Sequence, residues 1–224
     1  MDKERTKINL QDKHSYPAGD FRSRECIELL KEADIIVTNP PFSLWREFLA
    51  QLVEYKKKFL IIGNMACVSY KEVFPLLKGN KMWIGVSRKS VSCKTSFSSV
   101  PKTFGNIRWF TNLKANYKVK PLDLSKNHYT TEKYPKYDNY YAINVDKVVD
   151  IPCDYPGVMG VPVSFMDKYC PEQFEIVGFF RDTALKKRLV AGCLTINSKL
   201  KYARIFIKNQ HPENSEQNAG FKPA

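Results

Sequence analysis

Asn39-Pro40-Pro41-Phe42 is the run whose residue types and order best fit a chemical task. An amine on a nucleobase ring is a poor nucleophile, because its lone pair is delocalised into the ring. Two oxygen acceptors that take both N–H hydrogens pull the nitrogen towards tetrahedral geometry. That localises the lone pair and aims it at an incoming methyl group. The Asn39 side-chain oxygen and the Pro40 carbonyl can be those acceptors, and the two prolines stiffen the turn so that both are positioned in advance. Phe42 offers a π-face on which a base can stack. A base inside a duplex must first be swung out, at a cost of about a few kcal/mol that stacking and edge hydrogen bonds offset. Taken alone, the same tetrapeptide is also an ordinary proline turn, so its flanks matter. Upstream lies Gly19-Asp20-Phe21. The Asp20 carboxylate there could accept from the amine of a bound adenosyl group, with the Phe21 backbone N–H at a ring nitrogen.

The elements around these residues read as alternating helix and strand. Residues 23–33 predict a helix with Ser23 as cap, Glu25 in its first turn, and an apolar stripe of Cys26, Ile27, Leu29, Leu30 and Ala33. Asp34 to Thr38, β-branched and apolar on both faces, predicts a buried parallel strand. The prolines end it, because they donate no ladder hydrogen bond. Ser43 then reads as the cap of a helix to about Tyr55, with Trp45, Phe48, Leu49, Leu52 and Val53 on one face. Phe59–Gly63 reads as a second strand, 70–77 as a short helix and 82–86 as a third strand. This order predicts a parallel sheet with its site at the carboxyl ends of the strands.

Beyond residue 87 the pattern is less regular. Residues 87–103 read as a loop, 104–110 as a strand, and 111–139 as a polar, tyrosine-rich stretch. Tyr140–Val145 and Glu172–Phe180 read as strands, Ser164–Tyr169 as a short helix, and 190–196 with 200–207 as a hairpin around Asn197-Ser198. Trp83 and Phe74 suit a core. Tyr137, Tyr140 and Tyr141 suit either base stacking or a filled sheet face.

Composition bounds the rest. With 224 residues, 43% hydrophobic and 26% charged, the chain is a globular protein with a sizeable core. No apolar run approaches the roughly 18 residues of a membrane span, and the charged start Met1–Arg5 is no signal peptide, so a cytoplasmic location is expected. The six cysteines form no C-x-x-C, the closest two are 17 residues apart, and none of the three histidines is near one. Scattered reduced thiols and no metal site are therefore expected. The net charge of +13 is segregated. Residues 78–136 hold 13 Lys/Arg against 2 acids, and 181–210 hold 8 against 1. Such basic faces suit a polyanion, whose condensed counterions they release, although Lys186-Lys187-Arg188 also fits a solvated run.

Together these stretches resemble a known family. Gly19-Asp20-Phe21 followed by Ala33–Ser43, with Asn39-Pro40-Pro41-Phe42 inside it, looks like two motifs of the N6-adenine methyltransferases. More narrowly, Lys58–Asn64, Trp109–Leu113, Lys136–Val145 and the run from Gly157 to Phe174 resemble the EcoRI-type adenine-specific DNA methyltransferases. The resemblance covers roughly residues 18–208. It implies an α/β fold: a partial Rossmann-like sheet with a C-terminal mixed α/β, basic DNA-recognition part. It also implies S-adenosyl-L-methionine as methyl donor and adenine in DNA as acceptor. Asn39, Pro40, Pro41 and Phe42 would form the catalytic loop, and Asp20 and Phe21 would contact the cofactor adenine. The division expected is a lead-in over 1–18, a catalytic part over 19–103, a DNA-recognition part over 104–209 and a flexible tail over 210–224. The family's cofactor-binding strand and loop belong upstream of Gly19, yet the 18 residues there contain no strand followed by a glycine or acidic loop. Weak or absent cofactor binding is expected unless a second chain or a further N-terminal segment completes the site. The alternative is a catalytically inactive, DNA-binding remnant. A cytosine amine or a glutamine amide as acceptor fits less well, given Asn rather than Ser before Pro-Pro and the basic charge.

Overall fold

Ser23 starts the first helix by accepting the Cys26 N–H at 3.3 Å. Helix α1 (Arg24–Glu32) carries Glu25 in its first turn and Lys31 in its last, charges that suit its dipole, and turns Ile27 and Leu30 inward. The computed structural model describes residues 16–84, 91–95, 98–114, 120–180, 194–201 and 203–213, with backbone alone over 91–95 and 98–104.

Strand β1 (Ile35–Thr38) pairs in parallel with β2 (Lys58–Asn64). On the far side of β2 lies β6 (Ile107–Thr111), antiparallel, and β3 (Trp83–Ile84) pairs antiparallel outside it, giving the order β1-β2-β6-β3. Thus β1, β2 and β3 share one direction, as the sequence pattern predicts, but β6 runs between β2 and β3 and makes the sheet mixed. It falls after the expected boundary at 103 and yet completes the first sheet. The expected two-sided burial of β1 does not occur. It is an edge strand, with Ile35 47% and Val37 63% exposed. A β-branched run specifies a strand, but not how many of its faces find neighbours.

Ser43 does not cap the next helix. Residues Phe42–Leu44 form a 3-10 turn, closed by the Leu44 N–H on the Pro41 carbonyl at 3.0 Å, and α2 (Trp45–Glu54) follows with no side-chain cap. The helix expected over 70–77 is a single turn, α3 (Phe74–Lys78), set by Pro75 in its first turn. Within residues 87–103, read from their Ser/Thr/Lys content as loop, lie β4 (Val91–Thr95) and nearly all of β5 (Ser98–Phe104), paired antiparallel. Polar side chains there concealed a ladder that backbone groups make.

A second sheet has the order β7-β8-β12-β9, from β7 (Ile143–Asn144), β8 (Val158–Pro162), β9 (Phe174–Phe179) and β12 (Arg204–Asn209). β8, with Gly160 at its centre and Pro162 at its end, gave no strand signal. Gly160 is required because the Tyr137 hydroxyl occupies the place of a Cβ there. The expected hairpin is present but shorter. β10 (Leu194–Ile196) and β11 (Lys199–Lys201) pair across Asn197-Ser198, and the chain then leaves for β12. Both turn residues have positive φ, 49° and 63°, as a tight two-residue hairpin needs, and the Asp138 carboxylate accepts their N–H groups at 3.1 and 2.9 Å. Residues 163–167 form a 3-10 turn instead of the expected helix. Among the described residues no α-helix follows α3, and the described C-terminal residues form β-strands and 3-10 turns.

The two sheets share one apolar core. Phe74 of α3 packs on Phe179 of β9 at 5.4 Å, and Lys78 Nζ donates to the Val177 carbonyl at 2.7 Å. Arg108 on β6 grips Asp167 in the 3-10 turn through two bonds of 2.8 and 2.9 Å, the side chains only 11% and 14% exposed. No described helix is long and apolar enough to cross a membrane.

Candidate functional site

The loop at the carboxyl end of β1 is fixed from behind and open in front. Pro40 is buried, while Asn39, Pro41 and Phe42 are exposed, Phe42 by 45%. Immediately after the loop, Trp45 is 1% exposed, donates Nε1–H to the Ile62 carbonyl at 2.8 Å and meets Phe110 edge-on at 5.1 Å. Gly63 makes this possible, since a Cβ there would lie 2.7–2.9 Å from the indole. The Asn39 amide and the Phe42 ring are thus presented to solvent by a turn that buried neighbours hold still.

Gly19-Asp20-Phe21 rests on the same helix. The Asp20 N–H donates to the Pro17 carbonyl at 3.1 Å, closing a turn that needs the positive φ of 88° at Gly19. Phe21 meets Phe48 of α2 edge-on at 5.2 Å, and its carbonyl accepts from Gln51 Nε2 at 3.0 Å. Arg22, which the sequence reading did not single out, organises this corner. Its backbone N–H and Nε reach Asp20 Oδ1 at 2.9 and 3.0 Å, Nη2 reaches Oδ2 at 2.9 Å, and Nη1 reaches Glu47 at 3.1 Å. These bonds hold the Asp20 carboxyl below its usual range. Oδ1 already takes two of these bonds, but Oδ2 takes one and keeps a second lone pair, so Asp20 can still accept from an amine through Oδ2. The two sequence motifs are therefore both attached to α2: the loop runs into its N-terminus, and the turn packs on Glu47, Phe48 and Gln51.

A concave region of about 520 Å³, apart from this corner, lies against the β10–β11 hairpin, lined by Asp146, Ile196, Lys199, Leu200, Lys201 and Arg204 among others. Its floor is a network. Arg204 donates to Asp146 at 2.9 Å and to the Asn144 oxygen at 3.2 Å, which also accepts the Tyr137 hydroxyl at 2.8 Å. Burial pushes the Tyr137 phenol well up. The three tyrosines thus separate: Tyr137 is core, Tyr140 lies 4.3 Å from Phe206, and Tyr141 is 67% exposed. Phe74 is buried and Trp83 half-buried, as expected. Residues 186–188 lie outside the described residues.

The cysteines are free thiols at 26, 67, 153 and 170. Cys153, however, is grouped with His128 and Asp154, their ligand-capable atoms all within 4.8 Å of one another. Spacing in the sequence hid this, because 25 residues separate His128 from Cys153. Burial first, then Glu213 and Asp154, push the Cys153 thiol up to about 11.

Residues 2–210 match the family described as adenine-specific methyltransferase EcoRI. The chain is 47% identical over 212 residues to the type II methyltransferase M.EcoRI of Escherichia coli, covering 86% of this chain and 62% of that protein. It is 35% identical over 220 residues to the type II methyltransferase M.MpnI of Mycoplasma pneumoniae, covering 86% of this chain and 69% of that one. No solved structure matches the chain.

Proposed function

The chain belongs to the adenine-specific methyltransferase EcoRI family, and from that membership we propose that it provides the catalytic loop and DNA-contacting surface of an S-adenosylmethionine-dependent N6-adenine DNA methyltransferase. It would act in the cytoplasm as the modification half of a restriction-modification pair. The observation that carries this reading is the loop at the end of β1: Asn39 and Phe42 face outward while Pro40 and Trp45 are buried. Asn39 Oδ1 and the Pro40 carbonyl accept the two amine hydrogens of an adenine turned out of the duplex, and Phe42 stacks on its ring. Bound S-adenosylmethionine supplies an activated methyl group. Asp20, through the remaining lone pair of Oδ2, and the Phe21 N–H would hold the adenine end of that cofactor.

The arrangement of β1, β2 and β3 in one direction with β6 reversed supports a partial Rossmann-like sheet. Among the described residues β1 has a neighbour on one side alone, which supports a further strand docking there from a second chain or an N-terminal segment, and the exposed Ile35 and Val37 leave one face of β1 for added structure to cover. That strand would bring the residues that hold the methionine and ribose ends. The basic cleft beside Lys199 and Lys201 suits DNA phosphates. The same open edge, and the 62% coverage of M.EcoRI, favour the second reading of a DNA-binding part without catalysis on its own.

Incubation of the chain with methyl-labelled S-adenosylmethionine and mixed-sequence DNA tests both. Label recovered as N6-methyladenine after nuclease digestion supports the enzyme. No label, with DNA affinity falling as a power of salt by about 0.9 per phosphate neutralised, supports the second reading. Neither label nor salt-sensitive binding overturns both.

A further inference from the structure

The cluster formed by His128, Cys153 and Asp154 is a separate feature of the C-terminal sheet region. Cys153 Sγ lies 3.5 Å from His128 Nδ1, and Asp154 Oδ2 lies 3.3 Å from the same nitrogen. One imidazole nitrogen is either a donor or an acceptor at any moment. One N–H serves the thiol sulfur and the carboxylate only as a divided bond, whereas a cation set between the three would take a ligand atom from each. On an ideal tetrahedron around zinc, with sulfur at about 2.3 Å and nitrogen or oxygen at about 2.0 Å, the S···N and N···O edges are about 3.5 and 3.3 Å. Two of the three separations match those edges, and all three donor atoms lie within 4.8 Å of one another, so a small side-chain rotation would close the set around an ion.

The backbone supports the cluster from several sides. The Cys153 N–H donates to the Asn127 carbonyl at 2.9 Å, which fixes it beside the residue preceding His128. The Cys153 carbonyl accepts the Glu213 N–H at 2.9 Å and Asn209 Nδ2 at 3.1 Å. Asp154 Oδ1 accepts the Tyr129 N–H at 2.8 Å, leaving Oδ2 to face the histidine. Such outer bonds orient ligands in advance. Cys153 is buried, whereas the His128 side chain is 63% exposed, so one side of the cluster is open to solvent. The Glu213 carboxylate, a hydrogen-bond partner of the Cys153 thiol, adds negative charge beside it.

We propose that His128 Nδ1, Cys153 Sγ and an Asp154 carboxylate oxygen bind a divalent cation of the zinc class, with water in the fourth position. Mixed thiolate, imidazole and carboxylate donors select zinc over magnesium or calcium, which prefer oxygen alone. The ion ties the 127–154 segment together where the chain leaving β12 packs against it, and it is independent of the loop at Asn39.

The test is Co²⁺ titration of the full, phosphine-reduced chain, followed by displacement with Zn²⁺. One equivalent of Co²⁺ is expected to give a thiolate-to-cobalt charge-transfer band and the visible bands of a tetrahedral site, both lost on adding Zn²⁺. Cys153→Ser removes the charge-transfer band, whereas Cys170→Ser, at another buried cysteine, retains it. His128→Gln changes a mostly exposed side chain, so the fold is kept and circular dichroism is unchanged. It weakens Co²⁺ binding by about tenfold or more, since even outer-shell losses cost about that much. Absence of the band in the parent chain, its survival in Cys153→Ser, or unaltered affinity in His128→Gln overturns the proposal. Should Cys153→Ser fail to fold, His128→Gln and Asp154→Asn decide it alone.

Discussion

Replacing Gly63 by Ala tests how the loop at Asn39 is held. The new methyl would lie 2.7–2.9 Å from three indole atoms of Trp45. Ordinary carbon contacts begin near about 3.5 Å, so the ring must withdraw by roughly 0.7 Å. It has little room, being 1% exposed and edge-on to Phe110 at 5.1 Å. Its Nε1–H bond to the Ile62 carbonyl, now 2.8 Å, would stretch towards the limit of a hydrogen bond. Overpacking of this kind costs about 1–3 kcal/mol and a lost hydrogen bond about 1 kcal/mol, against a gain of about 0.4–1 kcal/mol from a stiffer unfolded chain. The net destabilisation is about 2 kcal/mol, or a fall in Tm of about 4–8 °C for a chain of this size. Thermal and urea unfolding of Gly63→Ala, Trp45→Phe and the double variant measure it. The smaller ring relieves the clash, so the two penalties should be less than additive. A Gly63→Ala protein as stable as the parent, or strictly additive penalties, would refute the claim that Gly63 exists to seat Trp45.

Three further outcomes are expected. In a preparation that transfers methyl groups, Asn39→Ala lowers the rate by about 10²–10³-fold, the usual loss on removing one pre-positioned polar group. Its Tm should not move, because the residue is exposed; undiminished transfer in labelled-methyl assays removes Asn39 from the role given to it. Ser198→Gly raises stability by about 1 kcal/mol in urea melts, because a φ of 63° strains any residue with a Cβ. A neutral or harmful effect there would mean that the turn relaxes elsewhere. Finally, Asp138 and Asp146 are both held below their ordinary carboxylate values, the first by the Ser198 and Asn197 N–H groups and the second chiefly by Asn144, then by Lys201 and Arg204. A depressed folded-state value means that the unfolded chain takes up protons first. This stability is complete above about pH 4 and is lost as pH falls through the folded values. Melting from pH 6 to 3 should fall less steeply for Asp138→Asn than for the parent, and equal slopes would contradict the assignment.

What was legible in the sequence was local. The Ser23 cap, the extent of α1, the β1 and β2 runs, the proline-bounded loop at Asn39 and the Asn197-Ser198 turn each depend on residues a few positions apart, whose steric and hydrogen-bonding preferences act before any tertiary contact forms. The family resemblance was legible for the same reason, since it rests on contiguous runs. Composition misled where backbone pairing overrides side-chain character: Ser, Thr and Lys at 91–104 disguised β4 and β5, and glycine disguised β8. Tertiary structure alone decided that β6 enters between β2 and β3, that β1 lies at an edge, and that Arg22 takes both oxygens of Asp20. It alone brought His128 to Cys153 and Arg108 to Asp167. Those relations depend on which surfaces remain unburied after the chain has closed long loops, and no short window of residues encodes that outcome.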